Sequence, residues 1–290
     1  MLSDVLDVLS DPIDGSSLHD GGNLATLVSD TGHSYDVARQ GYVSLVGGRG
    51  LRYKGDDASM IQAREKFLAS GHFGPFVEAV TGNVQDVLDD AGVGDHEHSV
   101  VMEVGAGTGY YLAHTLDAVP GSRGIGIDVS VPAAKRIAGC HPRAGAVIAD
   151  AWSRLPVKDK SIDTITVVFA PRNAEEFARV LTDEGQVVVL TAAPGHLAEL
   201  REPLGIIDVE KNKVHRMIQQ ASGHLTPDGG PEEVEFEMNL GRDAIEAQVG
   251  MSPSARHIRP EDLKERIATL PDSMTVTARA TVTRLKKNHR

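Results

Sequence analysis

Cysteine is almost absent from this chain: Cys140 stands alone among 290 residues. One thiol excludes a disulfide framework and any cluster of thiolates around a metal, and it suits a reducing compartment. Long apolar runs are missing too. No uninterrupted stretch is long enough to cross a bilayer, and the N-terminus lacks a basic start and carries Asp4 and Asp7 within its apolar run, unlike a secretory leader. These absences predict a soluble protein of the cytoplasm, with no membrane partner. Positive charge is in short supply: 29 Lys and Arg face 41 Asp and Glu, a formal net charge of −12. A nucleic-acid partner wants a basic face, so the sum speaks against one, although binding is local and a sum is not.

What is present is ordinary for a globular protein, with 41% apolar and 24% charged residues, in a length that holds one large domain with an appendage or two modest ones. Two basic segments stand out against the acidic background. Residues 39–54 carry Arg39, Arg49, Arg52 and Lys54 with no acid among them, and the C-terminal end adds Arg284, Lys286, Lys287 and Arg290. A solvated loop with a ragged tail and an RNA-facing patch both remain open on composition alone.

Periodicity gives the architecture. "DDASMIQAREKFLASG" spaces Met60, Ala63, Phe67 and Leu68 on one helical face and stops at Gly71, and a second helix over 75–91 carries Phe76, Val77, Val80, Val84 and Val87. Beyond "SVVMEV" (99–104), strands expected at 123–128, 146–149, 162–169 and 186–192 alternate with helices at 109–118, 131–139 and 173–181. That alternation predicts an α/β fold with a Rossmann-like, mostly parallel sheet and helices on both faces. "MTVTARATVTRL" (274–285) alternates with period two, as a half-exposed antiparallel strand does, and "VEFEMNL" (234–240) suits it as a partner.

The most informative stretch is "VVMEVGAGTGYY". A buried strand ends at Val104, and Gly105, Gly107 and Gly109 turn the chain into a helix. A dinucleotide loop, G-x-G-x-x-G, would place its third glycine at position 110, where this chain has Tyr110. The observed E-x-G-x-G-x-G, starting at Glu103, suits a nucleoside cofactor with no pyrophosphate. The next strand ends at Asp128, positioned to accept the ribose hydroxyls, and the third in "IADAW", which sets Asp150 and Ala151 beside the adenine. Each acid alone reads equally as a helix cap. Together the strand tips point to S-adenosylmethionine. Trp152 is expected to pack in the core or beside the adenine rather than stack on a substrate base, and Cys140 to be a small buried residue.

On "GHSYDVARQGYVSL" (32–45), "GDDASMIQAREKFLASGHFGPF" (55–76), "EVGAGTGYY" (103–111), "FAPRN" (169–173) and "PGHLAEL" (194–200), the chain resembles the 23S ribosomal RNA (guanine-N1)-methyltransferases over nearly its whole length. "FAPRN" leans toward the branch that confers macrolide resistance. The resemblance implies class I methyltransferase chemistry on N1 of a guanine in a 23S RNA hairpin, with S-adenosylmethionine as cofactor. It implies cofactor contacts at Phe73, at Gly107 and Thr108, and at His196. It divides the chain into an N-terminal RNA-recognition module (1–48), a linker with helices covering the cofactor site (49–98) and a methyltransferase domain (99–290), and makes Arg39, Arg49, Arg52 and Lys54 the RNA contacts. A homodimer is left open.

The resemblance also implies a zinc module whose ligands follow C-x-x-C and C-x-x-x-H. Here those positions hold Asp11, Asp14, Ser29 and His33. Structural zinc wants thiolate and imidazole, so no metal is expected. The module is expected to fold by packing Tyr35, Val37, Tyr42, Val43 and Leu45 onto the larger domain, with His33 capping a turn.

For the chemistry, "FAPRN" ends the fourth strand, where related enzymes present backbone and amide groups to a target base. Pro171, Arg172 and Asn173 are therefore the expected base pocket, with Arg172 stabilising charge at O6 and Asn173 at the base edge or, equally, capping the next helix. No general base is evident. A small-molecule methyltransferase and a non-catalytic S-adenosylmethionine-binding protein are the rival readings.

Overall fold

The computed structural model describes residues 1–48, 50–93, 98–206 and 212–288. Arg49 and Arg290 lie outside them. At the N-terminus, β1 (Leu18–Asp20), β2 (Thr26–Ser29) and β3 (Ser34–Asp36) make a small antiparallel sheet. The next strand, β4 (Tyr42–Ser44), leaves it and joins the edge of the large sheet. Val43 and Leu45 are buried there, and Tyr35 and Val37 pack on the same core, as the alternation over 35–45 requires.

Two helices follow. α1 (Ala58–Ala69) starts at Asp57, whose carboxylate accepts from the Ser59 and Met60 amides, a standard way of satisfying orphan donors. α2 (Gly74–Asp90) takes a proline in its first turn and buries Phe76, Val77, Val80, Val84 and Val87, the face read from their spacing. The core then alternates: β5 (Val100–Val104), α3 (Tyr110–Ala118), β6 (Arg123–Asp128), α4 (Val131–Ile137), β7 (Ala144–Ile148), β8 (Ile162–Val168), α5 (Ala174–Val180) and β9 (Leu181–Ala192). Short α6 (Arg201–Leu204), α7 (Lys213–Ala221), β10 (Leu225–Pro227), β11 (Glu232–Gly241), α8 (Arg242–Gly250), α9 (Pro260–Ala268) and β12 (Ser273–Lys287) complete it.

The large sheet runs β10-β12-β9-β8-β5-β6-β7-β4, with β11 also on β12. β5 to β9 and β4 pair in parallel, and β12 runs antiparallel to β9. Chain order reverses between β5 and β8, so a crevice opens there at the carboxyl ends of the strands, where ligands bind in such sheets. Every side chain of β5 is buried, as a strand covered on both faces demands.

Two differences from the sequence-based expectation have physical causes, and one open question is narrowed. β9 begins at Leu181 rather than at 186, because Leu181 pairs with Ile162 and the register then shifts, hiding the strand's first half behind polar Thr182–Gly185. β12 is half-exposed at its start and again beyond Thr283, but not between. Ala280, Thr281, Val282 and Thr283 are all buried, as in a strand covered on both faces of the sheet. The basic end of β12 is no free patch: Arg284, Lys286 and Lys287 face Asp90, Asp228 and Asp183 at 3.6, 2.8 and 3.4 Å.

Candidate functional site

The turn after β5 forms the floor of the crevice. Gly105 has φ +73°, which an L side chain tolerates poorly, and a Cβ there would stand 2.5 Å from Cβ of Ala170. The glycine thus lets the tip of β8, with its "FAPRN" segment, press directly on the loop. Gly107 donates its N–H to Oδ2 of Asp128 at 2.9 Å, and Ser130 donates to Oδ1 at the same distance, so the tip of β6 props up the loop. Both Asp128 oxygens therefore already accept a backbone bond. Each keeps a second lone pair, and burial pushes the carboxyl above its usual range, opposed by those two bonds.

Glu103 lies beneath, 1% exposed, accepting from the Leu112 N–H at 2.8 Å. Burial, with the Asp128 charge adding to it, raises its carboxyl to about 8. The cavity above is lined by Glu103, Gly105, Gly107, Thr108, Phe73 and Phe169, together with Arg64 from α1. Arg64 escaped the sequence reasoning as a functional residue; it sits inside the quoted "QAREKF", but nothing in its helical spacing connects it to a distant glycine loop.

Asp150 is buried and accepts from the Trp152 N–H at 2.9 Å, so it shapes its own turn while standing at the tip of β7. Trp152 is 46% exposed, which overturns the expectation that it packs in the core. Its neighbour Ala151 accepts from Nδ2 of Asn173 at 3.1 Å, while Oδ1 of Asn173 accepts from the Glu176 N–H at 3.4 Å. The capping role of Asn173 is thus realised, with its amide tying "FAPRN" to the β7 loop rather than standing free. Arg172, half-buried, donates to Oγ1 of Thr191 at 3.1 Å, and burial and the nearby Arg216 hold its basicity below normal. Phe169 sits at φ +51°, a strained setting for a bulky residue, and is 39% exposed at the mouth.

Phe73 is buried in an aromatic group with Phe67, Phe76, Phe169 and His196. Nδ1 of His196 accepts the Arg279 N–H at 3.0 Å, which leaves the ring's proton on Nε2. Burial lowers this imidazole to about 4, so it is neutral at ordinary pH and serves as a donor, not a cation. Sequence reasoning thus brought Phe73, the glycine loop, Asp128 and the "FAPRN" tip to one crevice. Arg39, Arg52 and Lys54 are exposed; Arg39 stands in the turn between β3 and β4, and Arg52 and Lys54 in the linker before α1.

Across this crevice the chain matches the family model described as a methyltransferase domain, over residues 101–188. A protein of Micromonospora griseorubida named as a 23S rRNA (guanine-N(1)-)-methyltransferase is 41% identical over 295 residues, spanning 99% of this chain and 99% of its own length. The chain belongs to the 23S rRNA (guanine-N1)-methyltransferase family. A second relative, the 23S rRNA (guanine(748)-N(1))-methyltransferase of Streptomyces fradiae, is 38% identical and spans 89% of this chain and 90% of its own. Among solved structures, an S-adenosylmethionine-dependent methyltransferase from Aquifex aeolicus superposes with TM-score 0.44 at 18% identity, over 62% of this chain and 93% of that one. As in other members of this methyltransferase family, the cofactor is S-adenosylmethionine. The residues present suit it: a glycine loop that lets the backbone come close, carboxylates at the tips of β6 and β7, and a buried acid below.

The same family resemblance implies zinc in the N-terminal module, and there the residues do not suit. Asp11, Asp14 and His33 do lie close enough to share an ion, yet their oxygens and nitrogen are engaged with one another and with neighbours. Asp11 accepts from the Ile13 N–H at 2.7 Å, the Tyr35 hydroxyl at 2.8 Å and Nδ1 of His33 at 2.9 Å. Asp14 accepts from the Thr31 hydroxyl at 2.6 Å, and Ser29 accepts the His33 amide at 2.9 Å. Burial pushes the Asp11 carboxyl up, but the bonds from Ile13, Tyr35, Ser29 and His33 outweigh it and hold the group ionised. The expectation that His33 merely caps a turn is corrected: its ring clasps a buried carboxylate.

Proposed function

We propose that this protein transfers a methyl group from S-adenosylmethionine to N1 of a guanine in a 23S rRNA hairpin. The observation that carries the reading is the close approach of Gly105 to Ala170, which sets the base-facing "FAPRN" tip against the cofactor loop with no side chain between them. When bound, the cofactor supplies a methyl on a sulfonium, a group that leaves without further activation. The chain's task is then alignment and exclusion of water.

The target base must leave its stack to reach the crevice. Phe169, exposed at its mouth, offers a face for a splayed-out base. The guanidinium of Arg172 is the donor for negative charge that builds on O6 as N1 gives up its proton. Asn173 holds the two loops together instead of reading the base, through its bonds to Ala151 and Glu176. The N-terminal module and the basic run of Arg39, Arg49, Arg52 and Lys54 supply the RNA grip. The module keeps its shape through the Asp11–His33 network in place of a metal.

Purified protein should methylate 23S rRNA transcripts, and reverse transcription should stall at one guanine, because N1-methylation blocks Watson–Crick pairing. Methyl transfer to small acceptors but not to the transcripts would establish the small-molecule reading instead.

A further inference from the structure

Arg64 is the single cation among the described residues that line the cavity beside the glycine loop. It occupies the room that Gly107 leaves by having no side chain: its Cδ and Nε stand 3.0 and 3.3 Å from where a Cβ on Gly107 would lie. Its Nη2 is committed, to Oδ2 of Asp56 at 2.8 Å and to the Met251 carbonyl at 2.9 Å. Those two bonds anchor the guanidinium from the linker and from the end of α8, so it cannot swing into solvent. Its Nε is buried and has no hydrogen-bond partner.

The acids around it are already engaged. Asp56 is shared, since Nη2 of Arg256 lies 3.2 Å from its Oδ1. Asp128, behind the same loop, accepts from the Gly107 and Ser130 amides. Glu103, the acid on the same wall, accepts from the Leu112 N–H, and burial pushes it toward its neutral form. An arginine so placed is complete only with a second anion, and its planar fork suits a carboxylate. S-Adenosylmethionine has one anionic group, the carboxylate of its methionyl end, and a glycine loop after the first core strand is where the amino-acid end of the cofactor must pass to leave the ribose at Asp128. We propose that Arg64 binds the methionyl carboxylate of the cofactor, with Gly107 kept free of a side chain to admit the guanidinium. The inference rests on the cofactor reading above. The competing role is a strut that only ties α1 to Asp56 and α8.

Calorimetry separates the two. S-Adenosylhomocysteine carries the amino-acid end, and 5′-methylthioadenosine has the nucleoside and sulfur without it. Arg64→Met, which keeps the apolar stem, should weaken S-adenosylhomocysteine roughly 10- to 100-fold, the range for removing a charge-assisted bond. It should leave 5′-methylthioadenosine within about twofold, and Arg64→Lys should recover part of the loss. Equal weakening of both ligands, or of neither, would overturn the assignment in favour of the strut. A second measurement needs no variant: decarboxylated S-adenosylmethionine should bind the unaltered protein more weakly than S-adenosylmethionine, and equal affinity would also overturn it. If the unaltered protein bound none of these nucleosides, the cofactor reading itself would fall, and Arg64 with it.

Discussion

Glu103 shows how much a single buried side chain can do to the whole protein's response to pH. Its carboxyl sits at about 8 in the folded chain against an ordinary 4.5. Between those values the folded protein holds a proton that the unfolded chain has released. Stability must therefore fall as pH rises through this window, by roughly 1 kcal/mol per pH unit from this group at most. Glu103→Gln should flatten that part of the stability–pH curve, read from denaturant melts at pH 5.5 and 8.5, and parallel curves for the two proteins would refute the assignment. Gly105 makes a complementary case. Gly105→Ala adds a methyl 2.5 Å from Cβ of Ala170 at a left-handed φ, so about 1–3 kcal/mol of stability should be lost and cofactor binding with it. Melting and calorimetry check both.

At the level of elements, the strands of the large sheet were legible because a parallel sheet buried on both faces writes continuous apolar runs into the chain. The glycine loop was legible because its spacing is a steric requirement. Pairing between distant segments leaves no such trace. Nothing in "GYVSL" says that β4 runs beside β7, and the polar bulge at Thr182–Gly185 disguised the start of β9. Arg64 was out of reach for the same reason, since a lone arginine on a helix looks like any solvated charge. The N-terminal knuckle was half legible: the missing thiolates were plain, but the Asp11–His33–Tyr35 network that replaces them appears only in three dimensions. That network makes two expectations. Chelator should leave the melting temperature of the natural protein unchanged. Asp11→Cys, Asp14→Cys and Ser29→Cys together, with His33 kept, should gain about one zinc per chain and a chelator-sensitive melt. Elemental analysis finding zinc in the natural protein, or none in the triple variant, would count against this account.

For the molecule as a whole, the difficulty is to hold a polyanion with a net charge of −12. The acidic excess must be outweighed locally, and Arg284, Lys286 and Lys287 on β12 each already face an acid, Asp90, Asp228 and Asp183. That leaves the run before α1. Arg52→Ala with Lys54→Ala should weaken binding to the 23S hairpin and flatten the dependence of log affinity on log salt by roughly one unit for each phosphate no longer neutralised, with cofactor affinity unchanged. An unaltered salt slope in filter binding would remove this segment from the RNA interface. No helix among the described residues is long and apolar enough to cross a membrane.

The seam between module and sheet sets one more condition on how such a grip works. Tyr42, Val43 and Ser44 pair in register with Ala146, Val147 and Ile148, and the Leu45 amide extends the ladder to the Ile148 carbonyl at 2.9 Å. Just past the end of β7 the chain reaches Asp150. The part of the protein proposed to clasp the hairpin is thus laced through β4 to the part proposed to seat the adenine. Such lacing works like one jaw of a caliper, and a hairpin one base pair longer or shorter is therefore expected to present the wrong nucleotide to the crevice.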